Sequence, residues 1–411
     1  MAFIPNDTRF ADQWHLRNTS STGLDLNLVD VWDDYTGSGV EVVAIDRGFD
    51  FFHQDFDNYR TDLDWDLENN DSVALPDPGE NDRHGTPVLG LIGAAQDGDG
   101  TVGIAFGADI IGYKTDWGRA EIADGIERAS DNGHDIVNMS YWNGTNMFSP
   151  TEQNVGLVDA IRDAAADGRG GLGLVMVKSA GNGRGTANAT DRAEATIESV
   201  NNLRETVVVA GVRQNGEVNG SSSPGANVLV SGFYGGVLTT DEQGAAGYNA
   251  TDFTNFNGTS AAAPQIAGVI ALILEANPDL GWRDVQEILA YSARHVGSDV
   301  GSTAQGNEQA TQTNGATWFW NDADDWNGGG LHFSNDYGFG LVDAEAAVRL
   351  AETWTGSRTS ANEVNPARID ALDSALVIAE GSGTGGSNFF SMTFDQGIEV
   401  EHITLGINFV S

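Results

Sequence analysis

The chain has 411 residues, with 60 Asp and Glu against 20 Lys and Arg, a formal net charge of -40. A surface of that sign repels phosphate backbones and anionic headgroups, which argues against nucleic acid and membrane surface as partners and makes cations, calcium above all, the natural ligands. The absence of cysteine removes disulfides, zinc thiolates and thiol catalysis, while 40% hydrophobic residues supply a packed core.

In chain order, Met1 to Phe10 lacks a basic segment followed by an apolar core, so no conventional signal peptide is legible. Val40 to Ile45 (VEVVAI) reads as a buried strand, and Gly85 to Ala95 (GTPVLGLIGAA) as a helix with small residues on its packing face. Ile110 to Lys114 is strand-like, Arg119 to Asn132 helical, and Asp135 to Ser140 strand-like again. A helix over Glu152 to Asp167 precedes strands at Leu172 to Ser179 and Val207 to Val212. Thr259 to Asn277 is a long apolar helix stopped by Pro278, and Trp282 to Ala293 and Asp343 to Glu352 are two more. The longest apolar run, Ile266 to Ala276, falls short of the roughly 20 residues a membrane span needs. The alternation predicts an α/β fold, a doubly wound, mostly parallel sheet whose ligand crevice lies at the carboxyl ends of the strands.

Composition divides the chain into a catalytic-sized domain over 1–353, a Ser, Gly, Asn and Glu-rich linker over 354–382, and a β segment over 383–411. Phe389 to Phe409 alternates like strands around a turn at Asp395 to Gly397. So few strands cannot close a β domain, and this end reads as the truncated start of one.

Reactive side chains stand at the ends of these elements. Asp46 ends the first strand in VVAIDRG, His84 opens a helix in DRHGTPVLG, Asn182 follows a strand in VKSAGNGRG, and Ser260 opens the long helix in NGTSAAAPQIAG. A serine hydroxyl becomes a nucleophile when an imidazole accepts its proton, and the imidazole needs a carboxylate to fix its tautomer. The Asn182 amide and the helix N-terminus at Ser260 are candidates to stabilise an oxyanion. Singly, an Asp after a strand is a turn former and a His before Gly-Thr a helix cap, but the ordered set of four points to acyl transfer.

With these residues in hand, the chain resembles the subtilisin-like serine peptidases, and within them the kexin/furin branch. The resemblance runs over NDTRFADQWHL (Asn6 to Leu16), DRHGTPVLGLIGA (Asp82 to Ala94), SAGNG (Ser179 to Gly183), NGTSAAAP (Asn257 to Pro264), LEANPDLGWRDVQEIL (Leu274 to Leu289) and YGFGLVDAEAAV (Tyr337 to Val348). It implies a subtilisin-like fold, a catalytic triad of Asp46, His84 and Ser260, an oxyanion hole of Asn182 with Ser260, and a β-sandwich P domain beginning in 383–411. It also implies calcium: Asp7, Asp55 and Asp97 match one site, completed by carbonyls of Ala94, Asp99 and Thr101, and Asp66 and Asp71 match part of a second. Calcium's taste for six to eight hard oxygens suits such Asp-rich loops.

The pocket departs from the resemblance. Convertases carry a second Asp after the catalytic one, where this chain has Arg47, a residue expected to repel a basic substrate side chain. Ser140, Tyr141 and Trp142 form the expected pocket wall, with Trp142 in place of a small residue, and Asp191 corresponds to a pocket-floor acid. The expectation is a secreted or cell-surface, calcium-dependent serine endopeptidase acting on proteins or peptides. The alternative is a non-catalytic peptidase-like binding or scaffold module of a larger exported protein.

Overall fold

A computed structural model describes residues 3–20, 23–77, 79, 82–141, 155–184, 194–297, 318–320 and 331–363. The chain divides after Asn362 into two units. The second, Glu363 apart, lies outside the described residues, and with it the expected β segment over 383–411.

Seven strands form one parallel sheet in the order β2-β3-β1-β4-β5-β6-β7. They are β1 (Glu41–Asp46), β2 (Trp65–Asp66), β3 (Asp109–Lys114), β4 (Ile136–Met139), β5 (Val175–Ser179), β6 (Thr206–Val212) and β7 (Val228–Phe233). Sheets buried on both faces need continuous apolar strands, and β4, β5 and β6 are buried along their whole length. The helices are α1 (Gly85–Gly93), α2 (Arg119–Asp131), α3 (Val155–Asp167), α4 (Thr259–Ala276), α5 (Trp282–Ser292) and α6 (Ala344–Thr353). An antiparallel hairpin of β8 (Gly235–Thr240) and β9 (Phe253–Asn257) packs on α1, with the Thr239 and Thr240 hydroxyls donating to the Pro87 and Thr86 carbonyls at 3.1 and 2.9 Å.

The α/β class and parallel sheet match the expectation; β2, β7, β8 and β9 are additional. The strand expected from Leu172 begins at Val175, because Gly168–Gly171 is a tight 3-10 turn. The helix α4 is, contrary to the short-run argument, long and apolar enough by length and composition to cross a bilayer, since Thr259 to Gln265 continue it. It is instead the central core helix, with every residue from Thr259 to Leu274 buried. Gln265 ties it to β7: its amide donates to the Phe233 carbonyl at 2.8 Å and its oxygen accepts from the Phe233 N–H at 3.0 Å.

Residues at the start of the compositional linker are bound to the core. Asp284 accepts from the Trp354 indole at 2.8 Å and from the Arg358 N–H at 2.7 Å. Ser360 donates to the Ala165 carbonyl at 3.1 Å.

Candidate active site

The carboxyl edge of the sheet gathers the four candidates. Asp46 is the last residue of β1 and has no solvent exposure, while His84 is the N-cap of α1. A carboxylate can only accept, so the His84 Nδ1–H donates to Asp46 Oδ1, at 2.7 Å. The same oxygen accepts the Arg47 backbone N–H at 2.7 Å. This leaves Nε2 of His84 as the basic nitrogen.

Ser260 is the second residue of α4, where the first-turn N–H groups have no carbonyl one turn back. Its hydroxyl donates to the Ser140 carbonyl, just past the end of β4, at 2.9 Å. Asn182, three residues past β5, has its Oδ1 held by the Thr259 N–H at 2.9 Å and the Thr259 hydroxyl at 3.2 Å. That fixes the amide's orientation and turns Nδ2 away from Thr259. Gly258, at φ 104°, is in a region side chains avoid, and a Cβ there would stand 3.4 Å from both Asn182 Nδ2 and the Ser260 N. The glycine therefore keeps clear the space between two N–H donors, the arrangement an oxyanion requires.

Aromatic rings flank the histidine. Trp117 meets the imidazole edge-on, with centroids 5.6 Å apart and planes at 89°, and Phe256 meets it at 5.2 Å. Tyr141 is 2% exposed and lies at 25° to Trp117, 6.5 Å away. Its carbonyl accepts from the Ser179 hydroxyl at 3.0 Å and from the Lys178 ammonium. Lys178 is fully buried, its ammonium 3.5 Å from Glu198, and burial lowers its pKa. Of the expected pocket wall, Ser140 and Tyr141 are thus at the site, whereas Trp142 and Asp191 lie outside the described residues. Trp117, Phe256 and Lys178 escaped sequence reasoning; the one signal was that Trp117 closely follows the strand ending at Lys114, beside the strand that carries Asp46.

Arg47 differs from its expectation. Its guanidinium is ion-paired with Asp116, lies 3.7 Å from Asp82, and stacks 4.5 Å over Trp117. Two carboxylates offset the charge that was expected to repel a basic side chain.

The two expected calcium sites separate on their donor sets. Asp7 Oδ1 accepts the N–H groups of Asp97 and Gly98, both at 3.1 Å, and Asp55 Oδ2 accepts the Thr101 N–H and hydroxyl, both at 2.7 Å, so the three acids share one loop. Asp55 is fully buried, and its Oδ1 has no hydrogen-bond partner among the described residues. Burial pushes its carboxyl up to about 6, with the Asp97 charge adding to the rise. A Cβ on Gly100 would stand 2.0 Å from that orphaned oxygen, so only glycine lets the loop close over it. No three acids or imidazoles among the described residues already converge on one point, yet an orphaned buried carboxylate oxygen is what a hard cation satisfies. The residues fit calcium.

At the second site they do not. Asp66 accepts the N–H groups of Glu68 and Asn69 at 2.9 and 3.0 Å, and the Lys114 ammonium at 3.1 Å. Lys114 also donates to Asp77 at 2.7 Å, and its side chain has no exposure. A protein cation already occupies the acidic loop, and Asp71 meets Asp66 only through main-chain bonds of 2.8 and 3.2 Å.

Comparison with known proteins shows the family and the fold. The sequence model of the subtilase family matches residues 37–340. The chain is 32% identical over 379 residues to the proprotein convertase subtilisin/kexin type 7 of Mus musculus, covering 88% of this chain and 45% of that protein. It is 33% identical over 363 residues to the dibasic-processing endoprotease of Schizosaccharomyces pombe, covering 85% and 46%. The chain thus spans less than half the length of these relatives. Among solved structures, a protease of Pseudoalteromonas arctica superposes with TM-score 0.63 at 26% identity over 85% of this chain and all of that one. The serine protease of Aeromonas sobria gives TM-score 0.73 at 24% identity, covering 86% and 68%, a likeness of fold.

Proposed function

The chain belongs to the subtilase family, and from that premise we propose that it is a calcium-dependent serine endopeptidase acting on proteins or peptides. The observation that carries the reading is the 2.7 Å bond between His84 and a fully buried Asp46, at the strand edge where Ser260 and Asn182 also stand.

In this reading the Ser260 hydroxyl leaves the Ser140 carbonyl by side-chain rotation and hands its proton to His84 Nε2 as Oγ attacks the scissile carbonyl carbon. Asp46 stabilises the imidazolium without taking its proton. The oxyanion accepts from Asn182 Nδ2 and the Ser260 N–H, whose spacing Gly258 sets. Collapse of the tetrahedral intermediate breaks the C–N bond, His84 protonates the departing amine, and water repeats the cycle to release the acyl group. Calcium at Asp7, Asp55 and Asp97, with the carbonyls of Ala94, Asp99 and Thr101, would supply charge neutralisation that ties the N-terminal segment to the loop. The net charge of -40 and the convertase likeness support a secreted or cell-surface setting. Residues 383–411 are proposed as the start of a P-like domain on their sequence alternation alone.

A second reading, a non-catalytic binding or scaffold module, is favoured by one contact: Ser260 donates to Ser140. Labelling with a fluorophosphonate decides between them, since only a working nucleophile, base and oxyanion hole react quickly. Rapid labelling lost in Ser260→Ala, together with casein cleavage, supports the peptidase; an unlabelled, folded chain overturns it.

A further inference from the structure

The turn that carries Asn182 is gripped by two other segments. From α4, Thr259 Oγ1 accepts the Gly181 N–H at 3.1 Å. From the loop between β6 and β7, buried Ser223 brackets Asn182: its N–H donates to the Gly181 carbonyl at 2.9 Å, and its hydroxyl oxygen accepts the Gly183 N–H at 3.0 Å. Arg184 then ties the turn to that loop and to a third segment. Its backbone N–H donates to the Ser221 carbonyl at 3.2 Å, its Nε–H donates to the Ser222 carbonyl at 2.7 Å, and its Nη2 is ion-paired with Asp336, 152 positions away. The two side chains are only 11% and 10% exposed. The planar fork of a guanidinium can hold acceptors from separate segments at once, and a charge-assisted bond shielded from water is stronger than the neutral bonds around it.

Asp336 belongs to a turn fixed to β7. Ser334 and Gly338 exchange main-chain bonds of 2.9 and 2.7 Å, the Phe339 N–H donates to the Leu229 carbonyl at 2.8 Å, and the Ser231 N–H donates to the Gly340 carbonyl at 2.8 Å. Phe233 of β7 is bonded in turn to Gln265 of α4, the helix whose first turn holds Ser260. The Arg184–Asp336 pair therefore closes a circuit from the turn after β5, through β7, back to α4. An oxyanion hole made of Asn182 Nδ2 and the Ser260 N–H depends on such a circuit, because its two donors stand on different elements and a misplacement of about 1 Å costs roughly 10²-fold in rate. We infer that Arg184 and Asp336 are positioning residues that act through Asn182, fixing the place of its amide relative to Ser260. The inference rests on the serine peptidase reading.

The test uses the full chain and one fluorogenic peptide in a double-mutant cycle between Asp336→Asn and Asn182→Ala. Asp336→Asn is expected to lower kcat about 10- to 100-fold with KM held within about twofold, since the bond that Asn182 makes forms in the transition state. In the Asn182→Ala background the same substitution is expected to change kcat by less than about threefold, because no amide remains to be placed. A clamp that served stability alone would lower kcat by the same factor in both backgrounds. Equal factors, a wild-type kcat in Asp336→Asn, or an effect confined to KM overturns the inference. If Asp336→Asn does not fold, Arg184→Lys takes its place in the cycle, keeping the charge and losing the planar fork: a kcat loss of at least about threefold that vanishes without Asn182 supports the inference, and no loss, or one that persists, overturns it. A wild type that a fluorophosphonate does not label fails the peptidase reading, whereas a labelled wild type with equal factors in both backgrounds fails only this inference.

Discussion

The Ser260 hydroxyl donates to the Ser140 carbonyl at 2.9 Å, although the two residues are 120 positions apart in sequence. The proposed nucleophile rests on the end of β4, and the Asp46–His84 pair is bonded at 2.7 Å. In the proposed mechanism, attack begins with Ser260 leaving Ser140 for His84.

Removing the reacting groups should separate their contributions. Ser260→Ala or His84→Ala is expected to lower kcat by roughly 10⁶-fold, as when such units lose the nucleophile or base. Asp46→Asn, which keeps the geometry but disfavours the required tautomer, should cost about 10⁴-fold. Steady-state kinetics on one fluorogenic peptide measure all three; a Ser260→Ala chain at wild-type rate would refute the triad.

Asn182→Ala removes one of the two proposed oxyanion donors. A fall of about 10²–10³ in kcat with little change in KM is expected, because the bond forms in the transition state. A variant that raised KM alone would assign Asn182 to ground-state binding.

Calcium removal should act on one loop only. EDTA is expected to lower the melting temperature and calcium to restore it, since a ligand of the native state alone stabilises by mass action. Asp55→Asn should abolish that response. Equilibrium dialysis should count no calcium that depends on Asp66, because Lys114 is the cation there; a site lost in Asp66→Asn would overturn that assignment.

Lys114→Met leaves the Asp66 carboxylate buried beside Asp77 without its ammonium. Stripping one partner from a buried pair costs about 3–5 kcal/mol, which chemical denaturation reads directly. A loss below about 1 kcal/mol would place the pair among solvent-screened contacts.

Burial holds the His15 imidazole down at about 3, from an ordinary 6.5. The unfolded chain takes up a proton on His15 near pH 6.5 and the native one does not until about 3, so the unfolded state binds more protons between those values. The contribution is fully present above pH 6.5 and is lost as pH falls toward 3, at about 1.4 kcal/mol per pH unit. His15→Leu should therefore become progressively more stable relative to wild type as pH is lowered from 6.5 to 4. Parallel pH dependences for the two proteins would contradict a buried neutral imidazole.

Most of the sheet was legible in the sequence because strands buried on both faces are unbroken apolar runs, as in β1 and β6, and because α4 and α5 are long and well bounded. The two-residue β2 and the Gly-rich β8 carry no such signal: Trp65–Asp66 is a strand only because β3 accepts it, and Gly235–Thr240 only because it pairs with β9. The Asp-rich stretch around Asp66 read as a calcium site because composition records acids in a loop; it does not record that Lys114, 48 residues away, points into them. Arg47 read as a repelling charge for the same reason, its partners Asp82 and Asp116 being set by the fold.

By itself the sequence determined the α/β class and the identity and order of Asp46, His84, Asn182 and Ser260, since each is written in local periodicity or in a short contiguous motif; the acids of the candidate calcium loop came only from the family resemblance. Tertiary structure alone decided that Trp117 stands against His84, that Ser260 rests on Ser140, that Lys114 fills one acidic loop, and that Asp55 is left with an orphaned oxygen in the other. Those relationships join residues far apart in the chain. They depend on how the strands close side by side and which backbone turns the packing enforces, and a motif carries no information about the distance between side chains it does not contain.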